Sequence, residues 1–202
     1  MPTYPLHDIF HSLQGEGRNT GKPVTFIRFS GCNLACPWCD TDHTTALQLT
    51  LADLFQRVQA HPGASVILTG GEPLIQPDLF PLVAALKAAG FWIGIETNGT
   101  REPTPSLRAA LDYIAASPKV GAPLNLRSAH EVRLVVTNDI TPAWCADIRK
   151  HLPAQDYYLS PCDEGGHLNM RATIHLLGQL NASAPTPPWR LSIQTHKLAG
   201  IP

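Results

Sequence analysis

Charge is scarce in this chain of 202 residues: only 15% are Asp, Glu, Lys or Arg, and 15 basic residues against 16 acidic ones leave a formal net charge of −1. A near-neutral surface has no general attraction for polyanions, so nucleic-acid binding through a basic face is disfavoured and a small-molecule partner is favoured. Long apolar runs are lacking as well. None approaches the roughly 20 residues that a membrane span requires. The segment from Met1 to Phe10 has neither the basic start nor the apolar core of a secretory leader. A cytoplasmic chain is therefore expected, with its cysteines held as free thiols. No repeat, charge run or linker divides the sequence. A single domain over residues 1–202 follows, and 44% apolar residues suffice for a sizeable core.

Five cysteines are present, and three fall within eight residues, Cys32-Asn33-Leu34-Ala35-Cys36-Pro37-Trp38-Cys39. Disulfides across such short gaps would be strained. A metal or cluster site is the better reading. Three thiolates around a four-iron, four-sulfide cubane leave one iron without a protein ligand and open to a small molecule. Cys39 and His43 also have the spacing of a Cys3His zinc site, so a zinc-stabilised binding module stays open on these residues alone. The loop follows a strand-like stretch, Thr25 to Ser30, with Gly31 free to turn the backbone beyond its carboxyl end. Functional loops of parallel α/β folds gather at that end.

Three further clusters stand out. A strand-like stretch from Ala64 to Leu68 runs into Thr69-Gly70-Gly71-Glu72-Pro73, where glycines permit a ligand to approach the backbone closely. Near the amino end, Gln14-Gly15-Glu16-Gly17 offers polar side chains on a pliant backbone, and a carboxylate such as Glu16 can hold the paired N–H donors of a guanine-like edge. Arg28, in the apolar strand Phe26-Ile27-Arg28-Phe29, requires an anionic partner or a wet cavity, because an unpaired buried guanidinium is costly.

Strand and helix signals alternate along the remainder. Helices are expected from Thr50 to His61, after Pro77-Asp78, from Pro142, and from Asn169 to Leu180. Strands are expected at Asp8 to Leu13, Ser65 to Leu68, Phe91 to Ile95, Asp112 to Ala116, Glu131 to Val136, Asp156 to Leu159 and Trp189 to Gln194. The class is α/β, and about six parallel strands with reduced helices suit an open, partial βα barrel better than a closed one of eight strands.

The Cys-x3-Cys-x2-Cys loop after a strand, together with the Gly-Gly-Glu-Pro segment, resembles the radical S-adenosylmethionine (SAM) enzymes. Leu13 to Gly17, Asp40-Thr41 after the cysteines, and the ending Gln194-Thr195-His196-Lys197 through Pro202 narrow the resemblance to the 7-carboxy-7-deazaguanine synthases. That resemblance implies a dimeric, Mg2+-dependent enzyme that converts 6-carboxy-5,6,7,8-tetrahydropterin to 7-carboxy-7-deazaguanine with loss of ammonia, on the way to queuosine and related deazapurines. It implies SAM used catalytically and an electron donor such as flavodoxin or ferredoxin.

By the same resemblance Cys32, Cys36 and Cys39 would hold a 4Fe-4S cluster and Thr41 a magnesium ion. Gly71, Ser117, Pro118, Lys119, Ser160, Pro161, Cys162 and Asp163 would line SAM, with Glu72 and its backbone receiving the amino group. Leu13, Gln14, Gly15, Glu16, Arg28, Thr69, His196 and the terminal carboxylate of Pro202 would surround the pterin. Another small radical-SAM enzyme, such as a glycyl-radical activase, shares the cluster loop but has no need of the Gln14, Glu16 and His196 constellation.

Overall fold

The structure is a computed structural model that describes residues 3–76 and 78–202. The chain runs β1 (Thr3–Leu13), β2 (Pro23–Phe29), β3 (Leu47–Thr50), α1 (Leu51–Gln59), β4 (Ser65–Gly70), α2 (Leu79–Ala88), β5 (Trp92–Thr97) and α3 (Pro105–Ala110). It continues as β6 (Tyr113–Ala116), β7 (Glu131–Val136), α4 (Pro142–His151), β8 (Asp156–Pro161), α5 (Met170–Asn181), β9 (Trp189–Leu191) and α6 (Thr195–Ala199). One sheet holds the strands in the order β3-β1-β2-β4-β5-β6-β7-β8-β9. From β2 to β9 neighbours are parallel. At the other side β1 runs antiparallel to β2, and β3 antiparallel to β1. Among the described residues β3 and β9 are unpaired with each other, so the sheet is an open partial barrel.

Among the described residues nine strands stand where about six parallel ones are expected, and the antiparallel pairing of β1 and the added β3 have physical reasons. The turn after β1 is short, with the Gln14 N–H donating to Lys22 O at 2.9 Å and the Gly21 N–H to Gln14 O at 2.7 Å. So short a link joins only antiparallel strands. Strand β3 has four residues and pairs Leu47 to Thr50 with Leu6 to Thr3, too short for a periodic signal. The last strand stops at Leu191, three residues before the expected end, and the tail coils into α6. Helix starts follow their caps. Thr50 accepts from the Asp53 N–H and donates back to its carboxylate, and Thr104 and Thr141 accept from Leu107 and Trp144 ahead of Pro105 and Pro142. Pro77, expected to open the second helix, lies outside the described residues.

The period of two in each parallel strand places its residues on two unlike faces. Ile27 and Phe29, Val66 and Leu68, Ile93 and Ile95, Val132, Leu134 and Val136, and Tyr157 and Leu159 join the main core with the apolar sides of α1, α2, α4 and α5. On the opposite face Val24, Phe26 and Ile67 form a small apolar floor with Phe10 and Trp92. Further along these same positions, toward the carboxyl ends, come Arg28, Thr69, Glu96, Arg133 and Ser160. Register sets Arg28 beside Thr69, and Arg133 beside Tyr158, two residues before Ser160.

Candidate active site

The cysteine loop leaves β2 at Gly31, whose φ of 77° is the left-handed conformation that glycine adopts without strain. Its base is closed by the Gly31 N–H donating to His43 O at 2.8 Å. Cys32 and Cys36 are half-buried and Cys39 exposed, all three as free thiols. A turn brings the Cys39 N–H to Cys36 O at 3.1 Å. Burial pushes the Cys36 thiol up, and the Lys119 ammonium opposes that shift. All three cysteines line one cavity, together with Gly71, Ser117, Lys119, Arg133 and Ser160. Lys119 donates to Ser117 Oγ at 2.6 Å and stands 4.9 Å from the Trp38 ring centroid.

Gly70 and Gly71 serve the backbone more than a ligand. A Cβ at Gly71 would strike the Gly31 carbonyl, and one at Gly70 the backbone of Phe29, so the end of β4 packs directly on the root of the cysteine loop. The Gly71 N–H donates to Phe29 O and the Glu72 N–H to Gly31 O, both at 3.0 Å. Glu72 itself is fully buried and occupied. Its carboxylate accepts from Leu74 N–H at 2.9 Å, Thr97 Oγ1 at 2.8 Å and Asn98 N–H at 2.7 Å. The Asn98 side chain then donates to Asn33 Oδ1 at 3.0 Å, on the cysteine loop. In this geometry Glu72 ties the end of β5 to the loop, and its side chain does not line the cavity.

A second cavity adjoins the first, and all eight residues expected around a pterin line it: Leu13, Gln14, Gly15, Glu16, Arg28, Thr69, His196 and Pro202. Phe10 and Phe26, stacked with centroids 5.0 Å apart, supply apolar surface. Arg28 finds the anion its sequence context demanded, with Nε 3.4 Å from Asp8 Oδ1, and its guanidinium lies 4.9 Å from the Phe10 ring centroid. Helix α6 closes the far side. The Thr195 N–H and hydroxyl both donate to Gly15 O, at 3.0 and 2.9 Å, and the His196 ring fills the space that a Cβ at Gly15 would need. Burial lowers the pKa of His196, with Lys197 adding to the effect. Pro202 is tied in by the Ser12 hydroxyl, which donates to its backbone oxygen at 2.7 Å. Lys197 pairs with Asp40 across the mouth; burial alone would raise the Asp40 pKa, but the ammonium holds it below the usual range.

The two cavities share a wall made of Glu16, Asp40, Thr41, Thr69, Glu96 and Gln194. Thr41, the expected magnesium ligand, presents its hydroxyl there, 3.5 Å from Asp40 Oδ1. Four of the residues expected near SAM stand elsewhere. Pro118 borders a separate depression lined by Leu34 to Trp38 of the cysteine loop. Pro161, Cys162 and Asp163 line neither cavity. The Cys162 N–H donates to Asn169 Oδ1 at 2.9 Å and Asp163 Oδ1 accepts from the Gly166 N–H at 2.7 Å, so this stretch shapes the loop leading into α5.

A radical SAM superfamily model matches residues 26–145, which contain the cysteine loop and the Gly-Gly-Glu-Pro segment. The chain is 42% identical over 205 residues to the 7-carboxy-7-deazaguanine synthase of Haemophilus influenzae and 43% identical over 206 residues to that of Neisseria meningitidis serogroup B, in each case across 99% of this chain and 95% of the relative. The chain belongs to the 7-carboxy-7-deazaguanine synthase family. The crystal structure of QueE from Escherichia coli superposes with a TM-score of 0.73 at 29% identity, covering 95% of this chain and 94% of that one. The open partial barrel is thus the architecture of a solved structure as well as the one expected from strand and helix alternation.

Membership in the synthase family implies an iron–sulfur cluster and SAM. Among the described residues no three His, Cys, Asp or Glu side chains stand gathered as ligands, so neither the thiols alone nor the thiols with His43 form a closed metal group. The donor chemistry does fit an iron–sulfur centre: three soft thiols and no competing carboxylate between Cys32 and Cys39. Two residues of this synthase site escaped the sequence reading, Glu96 and Arg133. Each is a charged residue at an inward position of a strand whose alternate residues are apolar, the signal that marked Arg28, and β7 carries a second charge, Glu131. Arg133 is the more deeply placed, with 6% of its surface exposed.

Proposed function

We propose that the chain converts 6-carboxy-5,6,7,8-tetrahydropterin to 7-carboxy-7-deazaguanine and ammonia. The observation that carries this reading is the shared wall: a cavity bearing the three thiols opens beside one lined by all eight expected pterin contacts. Cys32, Cys36 and Cys39 would hold the cluster, and Lys119 with Ser117 and Ser160 would line SAM. When bound, the cluster and SAM supply the radical chemistry that starts the ring contraction.

The protein's own residues bind and orient. Arg28 offers a planar fork for the substrate carboxylate, and Thr41 would supply an oxygen ligand to a magnesium ion. Phe10 and Phe26 give the flat ring an apolar bed. Gln14, Glu16 and Thr69 provide polar groups along its edge, while His196 and α6 limit the entry of water. Burial lowers the His196 pKa and so favours the neutral ring, which can donate one hydrogen bond and accept another.

This reading extends to a single domain over residues 1–202, a homodimer, and reduction of the cluster by a carrier such as flavodoxin or ferredoxin in the cytoplasm. No helix among the described residues is long and apolar enough to cross a membrane. The test is anaerobic turnover with SAM, dithionite, Mg2+ and the carboxypterin, following product and ammonia together. Equal amounts of the two, with many turnovers per SAM consumed, support the assignment. Absence of the deazaguanine from iron-loaded protein would overturn it, and one SAM consumed per product would point to a radical-SAM enzyme of another kind.

A further inference from the structure

Arg133 has no part in the functional reading or the expected contacts, yet it stands at the centre of an array of charges that includes Glu16. Its Nη1 lies 2.9 Å from Glu16 Oε2 and its Nη2 is paired with Glu96 Oε1. Its Nε faces Glu131 Oε1 at 3.0 Å, an ion contact whose alignment falls short of a hydrogen bond. The three carboxylates differ in their other partners. Glu131 is anchored behind, accepting from the Tyr113 hydroxyl and the Arg18 N–H, each at 2.8 Å. Glu96 is braced on both oxygens, Oε1 by Gln14 Nε2 at 3.0 Å and Oε2 by the Thr69 hydroxyl at 2.7 Å. Glu16 keeps Oε1 without a hydrogen bond among the described residues, at the wall between the two cavities.

We propose that Arg133 is the positioning residue for pterin recognition: its guanidinium, seated on Glu131, fixes Glu16 and Glu96 as an ionised, oriented pair and leaves Glu16 Oε1 as the acceptor for the N–H donors of the pyrimidinone edge. This inference rests on the proposed function. A guanidinium is required because its fork serves two carboxylates at fixed geometry, whereas an ammonium is a point charge on a flexible stem. Leaving Glu16, Glu96 and Glu131 without the guanidinium would place uncompensated charge in a poorly solvated site. Burial raises the Glu16 pKa and Arg133 opposes that rise, with Glu96, Asp40 and Glu131 adding to it and Lys119 the further charge facing the cavity.

The experiment compares wild type, Arg133→Lys and Arg133→Gln as iron-loaded protein, measuring equilibrium affinity for the carboxypterin and for SAM, KM against kcat, and the pH dependence of pterin binding. Arg133→Lys keeps the charge and loses the fork. Its pterin affinity is expected to fall roughly ten- to hundredfold, as for one charge-assisted hydrogen bond, with KM rising more than kcat falls and SAM affinity changing less. Arg133→Gln also loses the charge, so the acid limb of pterin binding should move to higher pH, while the Lys variant keeps the limb near its wild-type position. A purely structural role would weaken both ligands alike and leave the limb unmoved. That result, or pterin affinity within twofold of wild type in both variants, would overturn the role of Arg133. Wild-type protein that fails to bind the carboxypterin would overturn the functional reading, and this inference with it.

Discussion

The two faces of the same sheet are built by opposite rules. On β7, Val132, Leu134 and Val136 enter the main core, while Glu131 and Arg133, one residue out of phase, are equally buried and carry opposite charges. The apolar face gains from every atom removed from water, at roughly 25 cal/mol per Å2 of apolar surface. The charged face loses solvation, and its ion pairs and hydrogen bonds must return that loss before they contribute anything. Buried charge of this kind is poor evidence for stability and good evidence for a task. The difference teaches that burial alone does not mark function here; the phase of a residue within its strand does.

The sharpest break between the faces should come from cysteine. Replacing Cys32, Cys36 or Cys39 with Ala should abolish iron retention and turnover, whereas Cys145→Ala should spare both, because Cys145 lies in α4 within the main core. Iron analysis after anaerobic reconstitution reads this directly, and full iron in a loop variant would remove the cluster assignment. Next in size, Leu134→Ala should cost about 2–5 kcal/mol in denaturant unfolding through the cavity it leaves. Iron per folded molecule should be unchanged. A matching loss of iron would mean that the two faces are not separable.

On the inner face, Arg28→Lys should cost roughly 1–3 kcal/mol of pterin affinity by losing a bidentate contact, with little change in unfolding midpoint. Acidification should then act through Glu16. Burial, ahead of the neighbouring carboxylates, raises its pKa above the ordinary carboxylate value of about 4.3. The ionised acceptor is present above that raised pKa and is lost as pH falls through it, so pterin affinity should weaken at a higher pH than an ordinary carboxylate would produce. In Glu16→Gln that dependence should flatten; an unchanged profile would assign the titration to another group. The smallest effect expected is at Thr41→Val, which should blunt the response of turnover to Mg2+ while SAM binding and iron content stay as in wild type.

From the sequence alone came the chemistry that is local in the chain: the spacing of three thiols, the glycines at the ends of β2 and β4, the starts of α1 and α4, and the alternation that makes an α/β sheet. Spacing and backbone freedom are properties of neighbouring residues, so they survive without a fold. The pterin contacts could be named by resemblance, but their convergence could not be derived, since Gln14, Arg28, Thr69 and His196 come from four separate stretches. Only the sheet order brings β1, β2, β4 and the tail to one cavity. Tertiary structure alone also decided the partners of buried charge. Glu72 looked like a ligand group and is committed to Thr97 and Asn98. Arg133, one of two charged residues in β7, joins three carboxylates that lie 117, 37 and two positions away in sequence. Electrostatic energy depends on distance through space and on the solvent excluded from it, and neither quantity is written in the order of residues along the chain.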